Sequence, residues 1–377
     1  MHERKTLVRL GAAALVMGLV LALTACSSGS TSSTSSTTGT STTKQPVKIA
    51  LLLPETKTAR YETQDKPLFE AKVKEIAPDA QIIYSNANQD PALQQSQADA
   101  ALTNGANVLV LDSVDSTSAA SIVQKAAAKG VPVIAYDRLV NGAPIDNYVS
   151  FDNAMVGKLQ GQALLDKLKA TVPAGKKPTI VMINGSPTDN NATLFKKGAH
   201  SVLDGQVNIA AEYDTPDWSP DQAQTEMDQA ITKLGKSGFD GVYAANDGTA
   251  GGAIAAMKAA GIDPKTRPTT GQDAELAGIQ RIILGDQYMT VYKAISQEAS
   301  AAAVLAVSTA TSQSPPASLT LVTVNNGTKD VPSVLLTPIA VTASNIESTI
   351  VADKFWTVDR ILNSPQLKAA AAKLGIQ

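Results

Sequence analysis

The sequence predicts an α/β protein of two doubly wound parallel-sheet lobes. Short β-rich apolar runs alternate with longer Ala-rich helical stretches, and the alternation restarts midway along the chain. Length agrees: about 330 residues follow a polar N-terminal segment, too many for one ordinary core and suited to two lobes of roughly 150. The first strand is 47–53 (Val-Lys-Ile-Ala-Leu-Leu-Leu), followed by a helix over 63–76. Strands at 81–84, 108–111 and 131–136 alternate with helices at 91–103 and 116–129. Strands this uniformly apolar are buried on both faces, which places helices on each side of the sheet. After Ser150-Phe151-Asp152-Asn153 the pattern begins again, with a helix to 168, strand 178–184, helix 192–203, strand 208–213, helix 220–234, strand 241–245 and helix 249–260. A helix at 274–284, a strand at 289–292 and a helix at 295–310 are expected to add to the first lobe, and strands at 319–324 and 334–339 to return to the second. The expected division is 47–150 plus 274–323 for the first lobe, and 151–273 plus 324–377 for the second lobe and its tail. The tail, with a helix over 365–374, has no expected role beyond packing.

The N-terminus reads as an export leader over 1–26. Arg4 and Lys5 precede an apolar stretch, and Leu23-Thr24-Ala25-Cys26 closes it with small residues before a cysteine, the pattern of lipoprotein processing. The alternative is an uncleaved anchor, since spanning takes about 20 apolar residues. Cys26 is the single cysteine of the chain, so the mature protein forms no internal disulfide and no thiolate metal cluster, and its hydrophobic core alone must hold it. Residues 27–46 are rich in Ser and Thr and read as a flexible tether with a reach of roughly 25 Å. The expected location is the outer face of the cell membrane, anchored through Cys26. A formal net charge of −2 with interspersed signs gives neither a stripe for nucleic acid nor a polybasic patch for lipid.

In doubly wound sheets the ligand lies beyond the carboxyl ends of the strands. That rule selects Arg60 and Tyr61 after the first strand, Asp137 and Arg138 after 131–136, Asp189-Asn190-Asn191 after 178–184, and Trp218 after 208–213. It also selects Asn246 and Asp247 after 241–245, Asp273 after Gln272, and Lys293 after Tyr292. Carboxylates accept from hydroxyls, Arg and Lys donate to hydroxyl and ring oxygens, Asn does both, and an aromatic face covers the C–H side of a ring, so the set suits a polyol. Taken singly, an Asp-Arg pair at a strand end is more often a local salt bridge, and a loop Trp a packing residue. It is their convergence on one mouth that points to a site.

Other chemistries fit less well. Leu234-Gly235-Lys236-Ser237 lacks the earlier glycine of a phosphate loop and ends a helix instead of opening one. His2 and His200 are the only histidines, which leaves little for a histidine triad or a zinc site. A paired-carboxylate hydrolase would draw on Asp137 and Asp273, but Arg138 and Lys293 nearby would hold them ionised, which suits binding better than acid catalysis. No catalytic residue, metal or cofactor is expected.

Several runs are specific enough to carry a resemblance. Ala135-Tyr136-Asp137-Arg138, Gly185-Ser186-Pro187-Thr188-Asp189-Asn190-Asn191-Ala192, Ala245-Asn246-Asp247-Gly248-Thr249-Ala250-Gly251-Gly252, Gly271-Gln272-Asp273-Ala274 and Met289-Thr290-Val291-Tyr292-Lys293 closely resemble the D-xylose-binding proteins of ABC importers. Ser150-Phe151-Asp152-Asn153 and Val331-Pro332-Ser333-Val334-Leu335-Leu336-Thr337-Pro338 do so too, and the likeness runs from Val47 to about Ile350. The resemblance implies the type I periplasmic-binding fold with three hinge crossings, a monomer that binds a monosaccharide between its lobes, and a membrane ABC permease as partner. It makes Arg60, Asp137, Arg138, Asn191, Asn246, Asp273 and Lys293 the polar contacts and Trp218 a stacking face. Tyr61 stands where the family usually has Trp, and the preceding 54–59 run is also unlike the family's. These departures limit the transfer to sugar class and leave xylose as a preference over glucose or galactose, and the same closed lobes could instead present a sugar to a sensor.

Overall fold

The computed structural model describes residues 46–376. The predicted leader with Cys26, and all of the tether except Pro46, lie outside the described residues.

The β1 strand (Lys48–Leu53) shows why the first strands are apolar throughout. Its residues 49, 51 and 53 pack into one core with Phe69, Val73 and Val110, while 50 and 52 pack into a second with Ala98, Leu109 and Ile122 on the other face. The chain continues through α1 (Lys66–Ile76), β2 (Gln81–Asn86), α2 (Pro91–Thr103), β3 (Val108–Leu111), α3 (Ala120–Ala128), β4 (Val133–Tyr136) and β5 (Asn147–Phe151). Asp90 caps α2 by accepting from Ala92 and Leu93 N–H, and Pro91 takes the first helical position, where no N–H is needed. The second lobe follows with α4 (Asn153–Thr171), β6 (Thr179–Asn184), α5 (Asn190–Leu203), β7 (Asn208–Asp214), α6 (Pro220–Leu234), β8 (Gly241–Ala244) and α7 (Asp247–Ala259). The remaining elements are α8 (Leu276–Leu284), β9 (Thr290–Tyr292), α9 (Ile295–Ala310), β10 (Val322–Asn325), β11 (Asp330–Leu336), β12 (Ile339–Val341), α10 (Val358–Ile361) and α11 (Pro365–Leu374).

Among the described residues the first lobe has a seven-stranded sheet in the order β10-β11-β5-β4-β3-β1-β2, parallel except for β10. In the second lobe β6 lies between β7 and β8, all parallel. Backbone bonds extend this sheet: Thr270 N–H donates to Val242 C=O at 3.1 Å, and Val291 N–H to Gly271 C=O at 3.0 Å. Antiparallel pairing of β9 with β12 completes it.

Three chain crossings join the lobes, from β5 into α4, from β9 into α9, and from β11 into β12. They lie side by side. Phe151 pairs in register with Leu336, Tyr292 with Ile339, and Asp152 N–H donates to Leu336 C=O at 2.9 Å. The fold is thus the two-lobed, three-crossing α/β architecture that the sequence predicts.

The last third of the chain is distributed differently from the expectation. The strands at 319–324 and 334–339 were expected to return to the second lobe, but β10 and β11 extend the first sheet beside β5, and only β12 returns. Conversely, α8 and β9, expected in the first lobe, belong to the second: β9 bonds to Gly271, and α8 packs on α7. Hydrophobicity marks these segments as strands and helices, while ladder partners decide the lobe. The α9 helix lies in the first lobe as expected, with Ala299, Ala302 and Ala306 against Phe69 and Val73. The tail is more than a surface addition. Phe355, Trp356, Ile361, Leu367 and Ile376 share a core with Ile279, Ile283, Tyr292 and Ile295, and Trp356 Nε1 donates to Ala274 C=O at 2.8 Å.

Candidate functional site

The first-lobe wall begins in the loop after β1. Glu55 folds that loop by accepting the N–H groups of Lys57 and Thr58, and a single π-helical turn over Tyr61–Asp65 follows. Arg60 is buried and held on one side by a two-pronged pair with Asp65, at 2.7 and 3.0 Å, and by Glu298 of α9 at 3.1 Å. Its Nη1 has no hydrogen-bond partner and lies 3.7 Å from Asp273 Oδ1 of the other lobe. Directly after β4 stands Asp137, at a positive φ of 52°, a left-handed conformation that short polar side chains tolerate best. Its Oδ2 accepts from the Tyr61 hydroxyl at 2.8 Å, and its Oδ1 has no hydrogen-bond partner. Arg138 sits among Asp189 at 3.1 Å, Glu55 at 3.5 Å and Asp112 at 3.6 Å.

The second-lobe wall is built from helix starts. Asp189 caps α5 by accepting from Asn191 N–H at 2.8 Å, and also accepts from Trp218 Nε1 at 3.0 Å. Trp218 lies against Gly185 so closely that a Cβ there would fall 2.0 Å from the indole, which is why that position has no side chain. Phe195 meets the Trp218 ring edge-on at 6.3 Å. Asn246 opens α7 in a reciprocal cap with Thr249. Asp273, at φ 87°, repeats the arrangement of Asp137: Asp137 N–H donates to Val149 C=O at 2.8 Å, and Asp273 N–H to Val291 C=O at 2.9 Å. Each lobe therefore presents one aspartate from a strained strand end, and such conformations persist where a site demands them.

Lys293 emerges from the second crossing and completes a ring of alternating charge across the cleft. Its Nζ lies 3.0 Å from Asp273 Oδ1 and 3.8 Å from Asp137 Oδ1, while Arg60 lies 3.6 Å from Asp137 and 3.7 Å from Asp273. Asn191 ties the walls together by donating from Nδ2 to Asp137 C=O at 3.0 Å. Burial raises the proton affinity of Asp137, but Arg60, Lys293 and Arg138 outweigh it and pull the pKa down to about 2. At Glu298 and Asp112 burial dominates, against Arg60 and Arg138 respectively, and pushes both well above the usual carboxylate range. A carboxylate that stays ionised accepts hydroxyl hydrogens and has no proton to give.

Of the twelve residues singled out in the sequence, Tyr61, Asp137, Arg138, Asp189, Asn191, Trp218, Asn246, Asp273 and Lys293 line one cavity, Arg60 borders it through its pairs with Asp137 and Asp273, and Asn190 and Asp247 stand outside the lining. All but Asn190 are buried. Thr58, Phe195 and Gln272 complete the lining. Asp65 and Glu298, which hold Arg60, carry no local signal, because both lie on helical turns. Glu55 and Asp112 stand at strand ends and could have been found by the same rule. Among the described residues no helix is long and apolar enough to cross a membrane.

The family described as Periplasmic binding protein domain matches residues 49–314. The D-xylose-binding periplasmic protein of Escherichia coli strain K12 is 40% identical over 314 residues, covering 82% of this chain and 91% of that protein. Its namesake from Haemophilus influenzae is 38% identical over 320 residues, covering 84% and 92%. Among solved structures, an ABC transporter solute binding protein from Clostridium phytofermentans with bound β-D-glucose superposes with a TM-score of 0.75 at 28% identity, covering 83% of this chain and 99% of that one. A fold with three crossings, a buried polar cleft between its lobes and matches of this extent place the chain in one family: it belongs to the periplasmic binding proteins.

Proposed function

We propose that this protein is the extracytoplasmic solute-binding component of an ABC sugar importer, lipid-anchored through Cys26, that captures one monosaccharide between its lobes and hands it to the permease. D-Xylose is the leading ligand, with glucose or galactose the alternative. One observation carries the reading: charged and amide side chains from both lobes are buried around a single cavity, and several of their polar atoms, among them Arg60 Nη1, Asp137 Oδ1 and Gln272 Oε1, have no hydrogen-bond partner. Buried polar atoms without partners are rare and destabilising. Ring hydroxyls would satisfy acceptors and donors alike, and the indole of Trp218 offers an apolar face to C–H bonds.

Work on a bound sugar is binding, not catalysis. The ionised Asp137 has no proton to deliver, and its role is to select the closed form, which the permease then recognises as a monomer. Five or six hydrogen bonds of about 1 kcal/mol each, more for charged ones, bring a dissociation constant near 1 μM within reach after ordering losses. Thermal unfolding of the protein with xylose, glucose, galactose, arabinose and ribose tests this directly. Xylose is expected to raise the melting temperature most, because stabilisation follows the ratio of ligand concentration to dissociation constant. No shift with any of the five would end the monosaccharide reading.

A further inference from the structure

Relatives of this chain are named for a pentose, whereas a similar solved structure holds a hexose. D-Glucose is D-xylose with a hydroxymethyl group added at C5, so whatever admits or rejects that group decides between them. Tyr61 is placed to do so. Its ring is buried and touches two guanidinium groups, with Arg60 5.0 Å and Arg138 5.6 Å from its centroid, so swinging aside would cost it both contacts. Its hydroxyl donates to Asp137 Oδ2 at 2.8 Å. Burial pushes the phenol well above its ordinary pKa, so it remains a donor. Of the Asp137 carboxylate, only Oδ1 is left without a hydrogen-bond partner.

We infer that Tyr61 is a filter for ligand size and hydroxyl count. Its phenolic oxygen occupies both the space and the carboxylate acceptor that an exocyclic hydroxymethyl group would use, so the site takes a pentopyranose over the matching hexopyranose. The C5 edge of the bound ring faces Tyr61. This rests on the monosaccharide reading above and adds to it the residue that sets the choice. A hydrophobic or steric barrier alone rejects an added group only moderately, while an acceptor already satisfied gives the extra hydroxyl nothing to bind.

Calorimetric titration of the protein and of Tyr61→Phe with D-xylose, D-glucose and 6-deoxy-D-glucose tests the filter. The parent is expected to bind xylose about tenfold or more tighter than either hexose. In Tyr61→Phe the advantage over glucose should shrink by about tenfold, the worth of one hydrogen bond to a carboxylate. Glucose should gain more than 6-deoxyglucose, since only glucose can donate to the freed Oδ2. A parent that binds glucose as tightly as xylose, or a variant with an unchanged ratio, overturns the filter and leaves the monosaccharide reading standing. A parent that binds none of the three, nor galactose, arabinose or ribose, overturns both. Should Tyr61→Phe fail to fold, the parent's ranking still decides, because 6-deoxyglucose bound as tightly as xylose would mean that nothing excludes the added carbon.

Discussion

Asp137 concentrates the chemistry of the cleft in one side chain. Its carboxylate takes the Tyr61 hydroxyl and two cations, while its carbonyl takes Asn191 Nδ2, the Tyr148 hydroxyl and the Ser150 hydroxyl, at 3.0, 3.1 and 2.7 Å. Removing the carboxylate leaves Arg60 and Lys293 with less charge opposite them and removes an acceptor for the ligand. Asp137→Ala is expected to weaken sugar binding by about 2 kcal/mol or more, roughly thirtyfold. Equal affinities in calorimetry would remove Asp137 from the site. The pH dependence follows from the same environment. An unfolded aspartate titrates near 3.9, whereas this one is held at about 2 by its neighbouring cations. Its contribution to stability is therefore complete above about pH 4 and is lost as the pH falls from there through about 2. That acid limb should be shallower in Asp137→Asn, followed by thermal melting across the range.

At the scale of elements, the strand-end rule finds the residues that face the cleft, because Asp137, Arg138, Asn246 and Lys293 stand one or two positions beyond an apolar run that declares itself, and Arg60, Tyr61, Asn191 and Trp218 lie in the loop or helix start that follows one. It does not find Asp65 or Glu298. These lie 5 and 238 residues from the Arg60 they hold, and helical positions facing a site look in sequence like any buried polar residue. Lobe membership of β10, β11, α8 and β9 was illegible for a related reason: sheet neighbours are chosen by hydrogen-bond ladders, which leave no trace in hydrophobic period. Nor did the sequence give the tail a task. Trp356 packs edge-on against Phe355 at 5.4 Å and donates to the carbonyl of Ala274, the residue after Asp273. Trp356→Ala should destabilise the fold by about 3–5 kcal/mol, as large-to-small changes in a core do. Trp356→Phe, which retains most packing but not the N–H donor, should cost about 1 kcal/mol. Denaturant unfolding distinguishes them, and a loss under about 1 kcal/mol for the alanine variant would return the tail to a peripheral role.

Across the whole molecule, closure is secured in part by bonds that touch no ligand. Ser116, in the loop after β3, donates its N–H to Thr188 C=O at 3.0 Å, and its hydroxyl accepts from Asn190 N–H at 3.1 Å. The first-lobe Asn141 adds a side-chain bond to Asn190 at 3.4 Å. On the far side of the cleft, Ala59 N–H reaches Glu275 of the second lobe at 3.4 Å. Apparent affinity is the intrinsic affinity scaled by the fraction of molecules in the competent form. Weakening the clasp should therefore lower affinity for every sugar by one common factor. Ser116→Ala removes the hydroxyl and leaves Asn190 N–H unpaired when the lobes close. The expected loss is about threefold to tenfold, the worth of one neutral hydrogen bond, with the xylose-to-glucose ratio unchanged. That invariance separates the clasp from Tyr61, whose replacement should change the ratio itself. A Ser116→Ala protein that binds both sugars as tightly as the parent would show that the clasp adds nothing to closure. A changed ratio would show that the loop reaches the ligand.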